Sequence, residues 1–507
     1  MALYILASFI QISLGLCVIA GLVYFVASSI YNLYFHPLAR FPGPLSGAIQ
    51  DIWVSRKWVG GRWPHEVEKL HEKYGDVVRI APNELSFSHP DSMKDIYGQV
   101  NINHPKFIPK SRTFYQQTDV GRSVGTEVDP VIHQKIRKLL APGFSASALK
   151  RQEDVVLHYI DLLVEQIKVH GSKPGGMDMT DWFTWLAFDV VVDLAFGDSF
   201  QSVENGASPT WLEMLVNSGF QVALGFVVRR RARLFQQAVR FCLTNEKSKR
   251  MRNSYVSNAR NMAAQRLARG ADVSRFDFFT PLVGEKSPDA TVGFLAAQGS
   301  TLVAAGTETT ATFLTGLTFY LLKNPEKLAR MQAEVRARFG TSAEITDEST
   351  RGCPYLCAVV EEGLRIFNPA AFGLPRVSPG THVQGHWVPE GTILAAAGHV
   401  TSRDPRWFYK AREFRPERWL PREHPAYDPV YEGDRKDASK PFSIGSRSCI
   451  GINLSYMEIR ICVAKLAWNF DWHQVDPAED FVRDAKLLGL WKGSPLHIGY
   501  AEHEKDV

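Results

Sequence analysis

Phe442-Ser443-Ile444-Gly445-Ser446-Arg447-Ser448-Cys449-Ile450-Gly451 frames one cysteine with an aromatic ring, two glycines and an arginine. Glycine takes turns that a side chain forbids, so Gly445 and Gly451 allow the loop to bend on either side of the sulfur. A cysteine on such a loop can lie against a large flat ligand with backbone N–H groups aimed at it. Arg447 adds a permanent cation beside it. The arrangement suits a thiolate bound to haem iron. A buried structural cysteine ahead of a helix is the other reading, since free cysteine is among the most buried residue types.

Upstream, Ser287-Pro288-Asp289 reads as a helix start, a capping hydroxyl followed by proline in the first turn. The run it opens continues to Asn324-Pro325, about 35 residues or about 50 Å of helix. Its middle is Ala304-Ala305-Gly306-Thr307-Glu308-Thr309-Thr310. Gly306 costs a helix interior about 1 kcal/mol relative to alanine, and polar residues follow it in an apolar stretch. One reading is a small-residue packing seam whose threonines bond back to earlier carbonyls. The other is a locally opened helix that holds dioxygen and water while Glu308 and Thr309 relay protons. Further on, Glu362-Gly363-Leu364-Arg365 sets an acid and a base on one helical face, and Phe414-Arg415-Pro416-Glu417-Arg418-Trp419 brings a further arginine.

In this order the segments resemble the motifs of the cytochrome P450 monooxygenases: F-x-x-G-x-R-x-C-x-G, A-G-x-[DE]-T-[TS], E-x-x-R and P-E-R-[FW]. The likeness covers the chain from residue 30 onward. It implies a mainly α protein with a small β region, the cytochrome P450 fold, behind an N-terminal transmembrane helix. It implies haem b (iron protoporphyrin IX) with Cys449 as its axial thiolate and metal ligand, in a loop shaped by Phe442, Gly445 and Gly451. The haem propionates need cations. Arg447, Arg137 in His133-x-x-x-Arg137 and Arg376 in Leu374-Pro375-Arg376 match the family's positions, with His133 where the family commonly has tryptophan. Glu362, Arg365 and Arg418 correspond to a buried cluster that holds the meander against the haem loop. Thr309 would order water at the distal oxygen and Glu308 would connect it to solvent. Isomerase-type members often lose that threonine. Thr301, Ala305 and Thr309 would line one wall of the substrate pocket and Ala370, Ala371 and Phe372 another, with loop 108–121 as a lid. Ile452 and Ser455 depart from the family's usual basic residue and alanine, which bears on reductase docking or local packing.

The N-terminus carries no Asp, Glu, Lys or Arg before Arg40. Residues 2–30 are mostly apolar and exceed the ~20 needed to cross a bilayer. A cleavable signal would want a basic start and a shorter apolar run. The expected organisation is therefore an anchor over 1–30, a Pro/Gly hinge over 31–44 and one catalytic domain over 45–507. Phe41-Pro42-Gly43-Pro44 would stop the anchor helix. Arg40, Arg56, Lys57 and Arg62 follow the span, so the positive-inside bias puts the domain in the cytosol. The likeness to microsomal members makes this a single pass in the endoplasmic reticulum membrane.

Composition narrows the rest. The chain has 507 residues, 45% of them hydrophobic, and a net charge of +5, too mild to signal nucleic acid. Six scattered cysteines (17, 242, 353, 357, 449 and 462) make no disulfide framework, and Cys353-x-x-x-Cys357 has no second ligand pair for zinc. A reducing compartment follows. Arg229-Arg230-Arg231-Ala232-Arg233 reads as a solvated face or a patch against anionic lipid. Apolar spacing predicts helices over 150–169, 178–196 and 208–226, and short strands near 77–80, 85–88, 382–388, 392–396 and 496–500.

No flavin or nicotinamide motif is present, so the two electrons must come from outside. The resemblance implies NADPH-cytochrome P450 reductase on the same membrane, with Lys135, Lys138, Lys440 and Arg447 as a basic docking face. The expected function is a membrane-anchored haem-thiolate monooxygenase that uses O2 and NADPH-derived electrons to hydroxylate a lipophilic small molecule. Fungal secondary metabolism of a polyketide or terpenoid is the expected setting. Ring expansion, desaturation, multi-step oxidation, benzoate-type para-hydroxylation and a non-catalytic haem-binding membrane protein stand as alternatives.

Overall fold

The computed structural model describes residues 2–99, 107–115, 119–231, 246–270, 275–285 and 287–504. Residues 116–118 of the expected lid, Ala232 and Arg233 of the basic run, and Cys242 lie outside the described residues.

The chain starts with the uncharged helix Ala2–Ile30, continued by a π-helical turn, Tyr31–Phe35. His36 is extended (φ −67°, ψ 140°) because a residue before proline is pushed out of the helical region. The helical path therefore ends at His36-Pro37, ahead of the Pro42-Gly43-Pro44 segment expected to stop it. That segment is stitched to the first strand instead: the Arg79 N–H donates to the Pro42 carbonyl at 2.7 Å. A Cβ on Gly43 would fall 2.1 Å from the Arg79 carbonyl oxygen, so glycine is needed there. The buried Arg79 guanidinium donates to the carbonyls of Asn32 and Pro82, both at 2.7 Å, and ties the end of the N-terminal helix to the sheet.

That sheet has four strands in the order Val77–Ala81, Glu84–Phe87, Ile393–Ala396, Arg376–Val377. Glu84–Phe87 pairs parallel with Ile393–Ala396 and the other pairs are antiparallel. The single strand expected over 382–388 is a hairpin, Thr381–Val383 with His386–Val388. Gln384 (φ 50°) and Gly385 (φ 74°) turn it, the left-handed pair that a tight hairpin requires. At the C-terminus His497–Glu502 lies between Met177–Asp178 and Phe470–Gln474.

The helical body surrounds the central helix Val292–Leu322, which packs along Met179–Phe196. It starts later than expected. Thr291 is the cap, its hydroxyl accepting from the Phe294 N–H at 3.2 Å, and Ser287-Pro288-Asp289 lies in the turn before it. The helix stays continuous through Ala304–Thr310, so the opening expected at Gly306 is absent. Gly306 serves close packing: its Cβ would lie 2.9 Å from Val191 Cγ2. Gly299, two turns earlier, faces Phe196 in the same way.

The helix expected over 208–226 is two, Thr210–Val216 and Gly219–Arg231, bent by 44° between them. The second turns Arg229 and Arg230 toward the protein. Arg229 Nε donates to the Thr113 carbonyl at 3.0 Å. Arg230 bridges Asp51 at 2.8 Å and Glu84 at 2.5 Å. Arg229 and Arg230 are therefore not on a solvated face, because a strand and the start of the helix Ile52–Val59 bring Glu84 and Asp51 to the helix end.

Candidate functional site

The cysteine loop runs through a 3-10 turn, Gly445–Arg447, into the helix Ile452–Asn469. Gly445 has φ 77°, and a Cβ there would sit 2.1 Å from the Tyr97 carbonyl oxygen, so only glycine fits. Gly451 differs from expectation. Its φ is −89°, and its contribution is a backbone N–H that favours the charged form of the Cys449 sulfur. Ser443 takes φ 58°, uncommon for a residue with a side chain, and its buried hydroxyl has no partner among the described residues. The Cys449 N–H closes the loop on the Phe442 carbonyl at 3.0 Å. Surrounding protein pushes the Cys449 thiol pKa up, while the Gly451 N–H and Arg137 pull against it.

A cavity of about 240 Å³ opens onto this loop. Cys449, Phe442, Ser443 and Arg447 line one side, and Thr309, Thr310 and Phe313 of the central helix another, with Ala370 and Leu374 between them. Five residues expected at the site thus meet there: Thr309, Ala370, Phe442, Arg447 and Cys449. Thr301, Ala305 and Glu308 stand on the same helix outside this lining. Ala371 and Phe372 line a separate cavity of about 30 Å³ with Trp58 and Phe226.

Cations crowd one edge. Arg447 donates to the carbonyls of Glu127 at 2.6 Å and Val128 at 3.0 Å, and its buried Nε has no partner among the described residues. Arg376 is buried and donates to the Leu374 carbonyl at 3.1 Å and the Tyr115 hydroxyl at 3.3 Å. Arg137 donates to the Ser448 carbonyl at 2.7 Å, beside the cysteine. Buried His133 is held neutral, its pKa pushed down to about 3 by burial and then by Arg447, Lys110, Arg137 and Arg376. Lys110 belongs to the same group and was not expected. Its ammonium donates to the Gly125 carbonyl at 2.7 Å and is pushed down to about 6 by burial, then by Arg447 and Arg376. Arg447 and Arg376 also share a recess with Tyr97 and Ser446. A cysteine sulfur on the wall of a cavity and the arginines Arg447, Arg376 and Arg137 gathered at its edge fit an iron porphyrin with two carboxylates.

On the central helix Thr309 Oγ1 donates to the Ala305 carbonyl at 2.5 Å. Thr315 and Thr318 make the same back-bond, so the seam reading of these threonines describes their geometry. Burial pushes Glu308 up to about 7, with Lys492 pulling partly back. Thr310 instead donates to Glu458 at 3.3 Å, and burial pushes that carboxyl up to about 8. Glu458 was not singled out in the sequence because one acid in an apolar helix carries no pattern.

Glu362, Arg365 and Arg418 meet as expected from their motifs, each at most 1% exposed. Arg365 donates to Glu362 at 2.7 and 2.8 Å, and Arg418 Nε does so at 3.1 Å. Trp419 Nε1 at 2.9 Å and the Arg415 N–H at 2.8 Å complete the carboxylate's partners. Arg365 also donates to the carbonyls of Ser402 at 2.6 Å and Ala411 at 2.7 Å, and Arg418 pairs with Asp434. Burial raises the Glu362 pKa, but the two arginines and the N–H outweigh it and hold the carboxyl below its ordinary value.

The expected docking cations separate. Lys135 and Lys138 are exposed and Lys440 is half-buried. Arg447 turns inward and belongs to the cavity edge.

The sequence model of the family described as Cytochrome P450 matches residues 44–493. The chain is 63% identical over 487 residues to cytochrome P450 monooxygenase btcC of Colletotrichum orbiculare, covering 96% of this chain and 94% of that protein. It is 40% identical to cytochrome P450 monooxygenase BOA3 of Botryotinia fuckeliana, covering 95% of each. It is 39% identical to cytochrome P450 monooxygenase btcC of Neocamarosporium betae, covering 93% of this chain and 94% of that one. Similarity of this extent, joined to a cysteine loop, cavity and cation edge that suit haem, shows that the chain belongs to the cytochrome P450 family and is a haem-iron monooxygenase.

Proposed function

We propose that this enzyme is anchored in the endoplasmic reticulum membrane by a single pass, with its catalytic domain in the cytosol. It uses O2 and electrons from NADPH-cytochrome P450 reductase to hydroxylate a lipophilic small molecule in fungal secondary metabolism. The observation that carries the chemistry is the one cavity that both Thr309 and Cys449 line. Fungal relatives and the apolar side chains of Phe313, Leu364, Ala370 and Leu374 in the cavity lining support the substrate class.

When bound, haem b supplies oxygen activation and C–H oxidation. Cys449 holds the iron through sulfur, and the Gly451 N–H steadies the charge on it. Arg447, Arg376 and Arg137 would hold the two propionates, with Lys110 and neutral His133 among them. Lys135, Lys138 and Lys440 face the reductase. Thr309 donates to the Ala305 carbonyl, so its oxygen accepts from a water and orients it. Glu308, at about 7, takes and gives a proton near neutral pH. Thr309→Ala should keep haem content and substrate affinity while product per NADPH falls, the lost electrons ending as peroxide or water. Positioned proton transfer is worth about 100-fold or more in rate; an unchanged ratio would leave only the packing role.

Glu308 also gives coupling a pH dependence. Its raised pKa keeps it protonated below about 7, so product per NADPH should fall as pH rises through that value. Glu308→Gln should flatten the profile, which pH-resolved coupling measurements would read.

Membrane attachment is supported by Gln11–Phe35, 25 residues of mean hydropathy 2.1 with none of its apolar window packed on the domain. Deleting residues 2–30 should move much of the protein to a salt-extractable or soluble fraction with its haem spectrum intact. A mature N-terminus near residue 30 by mass spectrometry would point instead to a cleaved signal. The activity as a whole is tested by reconstitution with the reductase and a library of lipophilic compounds. Steady NADPH consumption with an oxygenated product is expected, and haem binding without turnover would favour a non-catalytic carrier.

A further inference from the structure

Among the described residues, His65, Glu68 and His399 each bring a ring nitrogen or a carboxylate oxygen to within 4.8 Å of the others. Two parts of the chain far apart in sequence meet to do so. His65 and Glu68 lie on the helix Trp63–Tyr74, three residues apart and so on one face. His399 lies on the short helix Gly398–Thr401, which follows the strand Ile393–Ala396. Two imidazoles and one carboxylate form a donor set that suits zinc, with a fourth position left for water. His65 Nδ1 stands 3.9 Å from Glu68 Oε2. Ligands held at about 2.1 Å from a tetrahedral ion lie about 3.4 Å from one another, so closure on a metal needs side-chain shifts of about 1 Å.

The two oxygens of Glu68 are divided. Arg412 donates to Oε1 at 3.1 Å and Arg403 approaches the same atom at 3.5 Å, which leaves Oε2 beside His65. The arginines orient the carboxylate, as groups behind a metal ligand do, but they also repel a cation. Arg412 pairs with Glu72 as well, so two carboxylates offset the two guanidinium groups.

A second, independent observation is His399 itself. It is 6% exposed and its Nε2 has no partner among the described residues. A buried polar group without a protein partner costs stability unless a ligand or water meets it. Burial, then Arg403, pushes its pKa well below the ordinary histidine value, so the ring is in the neutral form that binds metals. Burial would raise the Glu68 pKa, but His65, Arg403, His399 and Arg412 outweigh it and hold the carboxyl down to about 2. Trp491 packs on both rings, its centroid 5.6 Å from that of His65 and 6.1 Å from that of His399. An apolar wall of this kind limits the access of water to a metal site.

We propose that His65, Glu68 and His399 bind a divalent cation of the zinc class, which fastens the helix Trp63–Tyr74 to the segment that follows the strand Ile393–Ala396. Nitrogen donors favour zinc over magnesium and calcium, which prefer oxygen.

The test uses the full-length haem protein without a polyhistidine tag, treated with a chelator and titrated with zinc chloride. Equilibrium dialysis with metal analysis reads affinity, and the thermal midpoint reads coupling to the fold. Zinc should raise the wild-type midpoint, as any ligand of the folded state does. His65→Phe keeps an aromatic ring beside Trp491 but removes a ligand, and His399→Leu removes the partnerless nitrogen. Losing a partner behind a ligand costs about 10–100-fold in metal affinity, so losing a ligand should weaken zinc binding by at least about tenfold. Neither variant's midpoint should respond to zinc. An excess of magnesium should leave the zinc in place. Unchanged zinc affinity in both variants would overturn the site, as would a wild-type midpoint that zinc does not raise or displacement of the zinc by magnesium. Should His399→Leu lose its haem, the partly exposed His65→Phe decides alone.

Discussion

Cys449→Ser is expected to abolish the thiolate-type spectrum of the reduced carbon monoxide complex, and with it all substrate oxidation. An alkoxide or water in place of sulfur changes the electron donation that sets the iron's reactivity, and serine gives iron no stable anionic ligand near neutral pH. The other described cysteines are poor substitutes. Burial pushes Cys353 up to about 12 and Cys462 higher still, and the Cys357 thiol is raised as well. Cys17 lies exposed on the N-terminal helix, far along the chain from the site. Cys449 alone among the described cysteines lines the larger cavity, with the Gly451 N–H and Arg137 pulling its raised thiol pKa partly back. Serine at 17, 353, 357 or 462 should therefore keep the spectrum. Reduced carbon monoxide difference spectra of the five single variants check both halves, and a Cys449→Ser protein that keeps the thiolate band would sink the assignment.

Glu362→Gln should cost the folded haem protein. The carboxylate takes four sets of donors, from Arg365, Arg418, Trp419 and the Arg415 N–H. The substitution would leave two fully buried guanidinium groups facing a neutral amide whose NH2 repels one of them. Breaking a buried pair from one side costs about 3–5 kcal/mol, a large part of the about 5–15 kcal/mol that holds a domain together. The loss spreads because Arg365 also fixes the Ser402 and Ala411 carbonyls and Arg418 reaches Asp434. The pH dependence has a definite sign. The folded pKa of Glu362 lies below its ordinary value, so its stabilising effect is complete above the unfolded carboxylate pKa of about 4.3. It is lost as pH falls through the folded value. Haem per protein and the urea midpoint measure the effect, and a variant with wild-type values of both would show that the cluster does not hold the meander.

Much of the site was legible because its residues are chemically unusual where they stand. Cys449 between glycines, the Glu362–Arg365 spacing and Arg418 in its motif announce themselves without tertiary information; the structure gathers Glu362, Arg365 and Arg418 in one buried cluster and sets Cys449 on a cavity wall. Gly306 was ambiguous for a physical reason. Glycine in a helix signals either a bent backbone or a close neighbour, and only the position of Val191 separates the two. The late helix start has a similar cause, since Ser287 and Thr291 both offer a capping hydroxyl and packing selects the second. Arg230 misled because a run of arginines looks solvated until a strand and a helix cap supply Glu84 and Asp51 from far along the chain. Lys110 and Glu458 left no mark in the sequence, because a single charge gains meaning only from what surrounds it.

The most direct test of the account follows the oxygen itself. The purified full-length enzyme would be reconstituted with the reductase and a lipophilic compound that drives NADPH consumption. Turnover would then be run once under heavy-oxygen-labelled dioxygen and once in heavy-oxygen water. A monooxygenase places one labelled atom from dioxygen in the product and none from water. A product labelled from water, or an unlabelled product formed without dioxygen, would contradict the account.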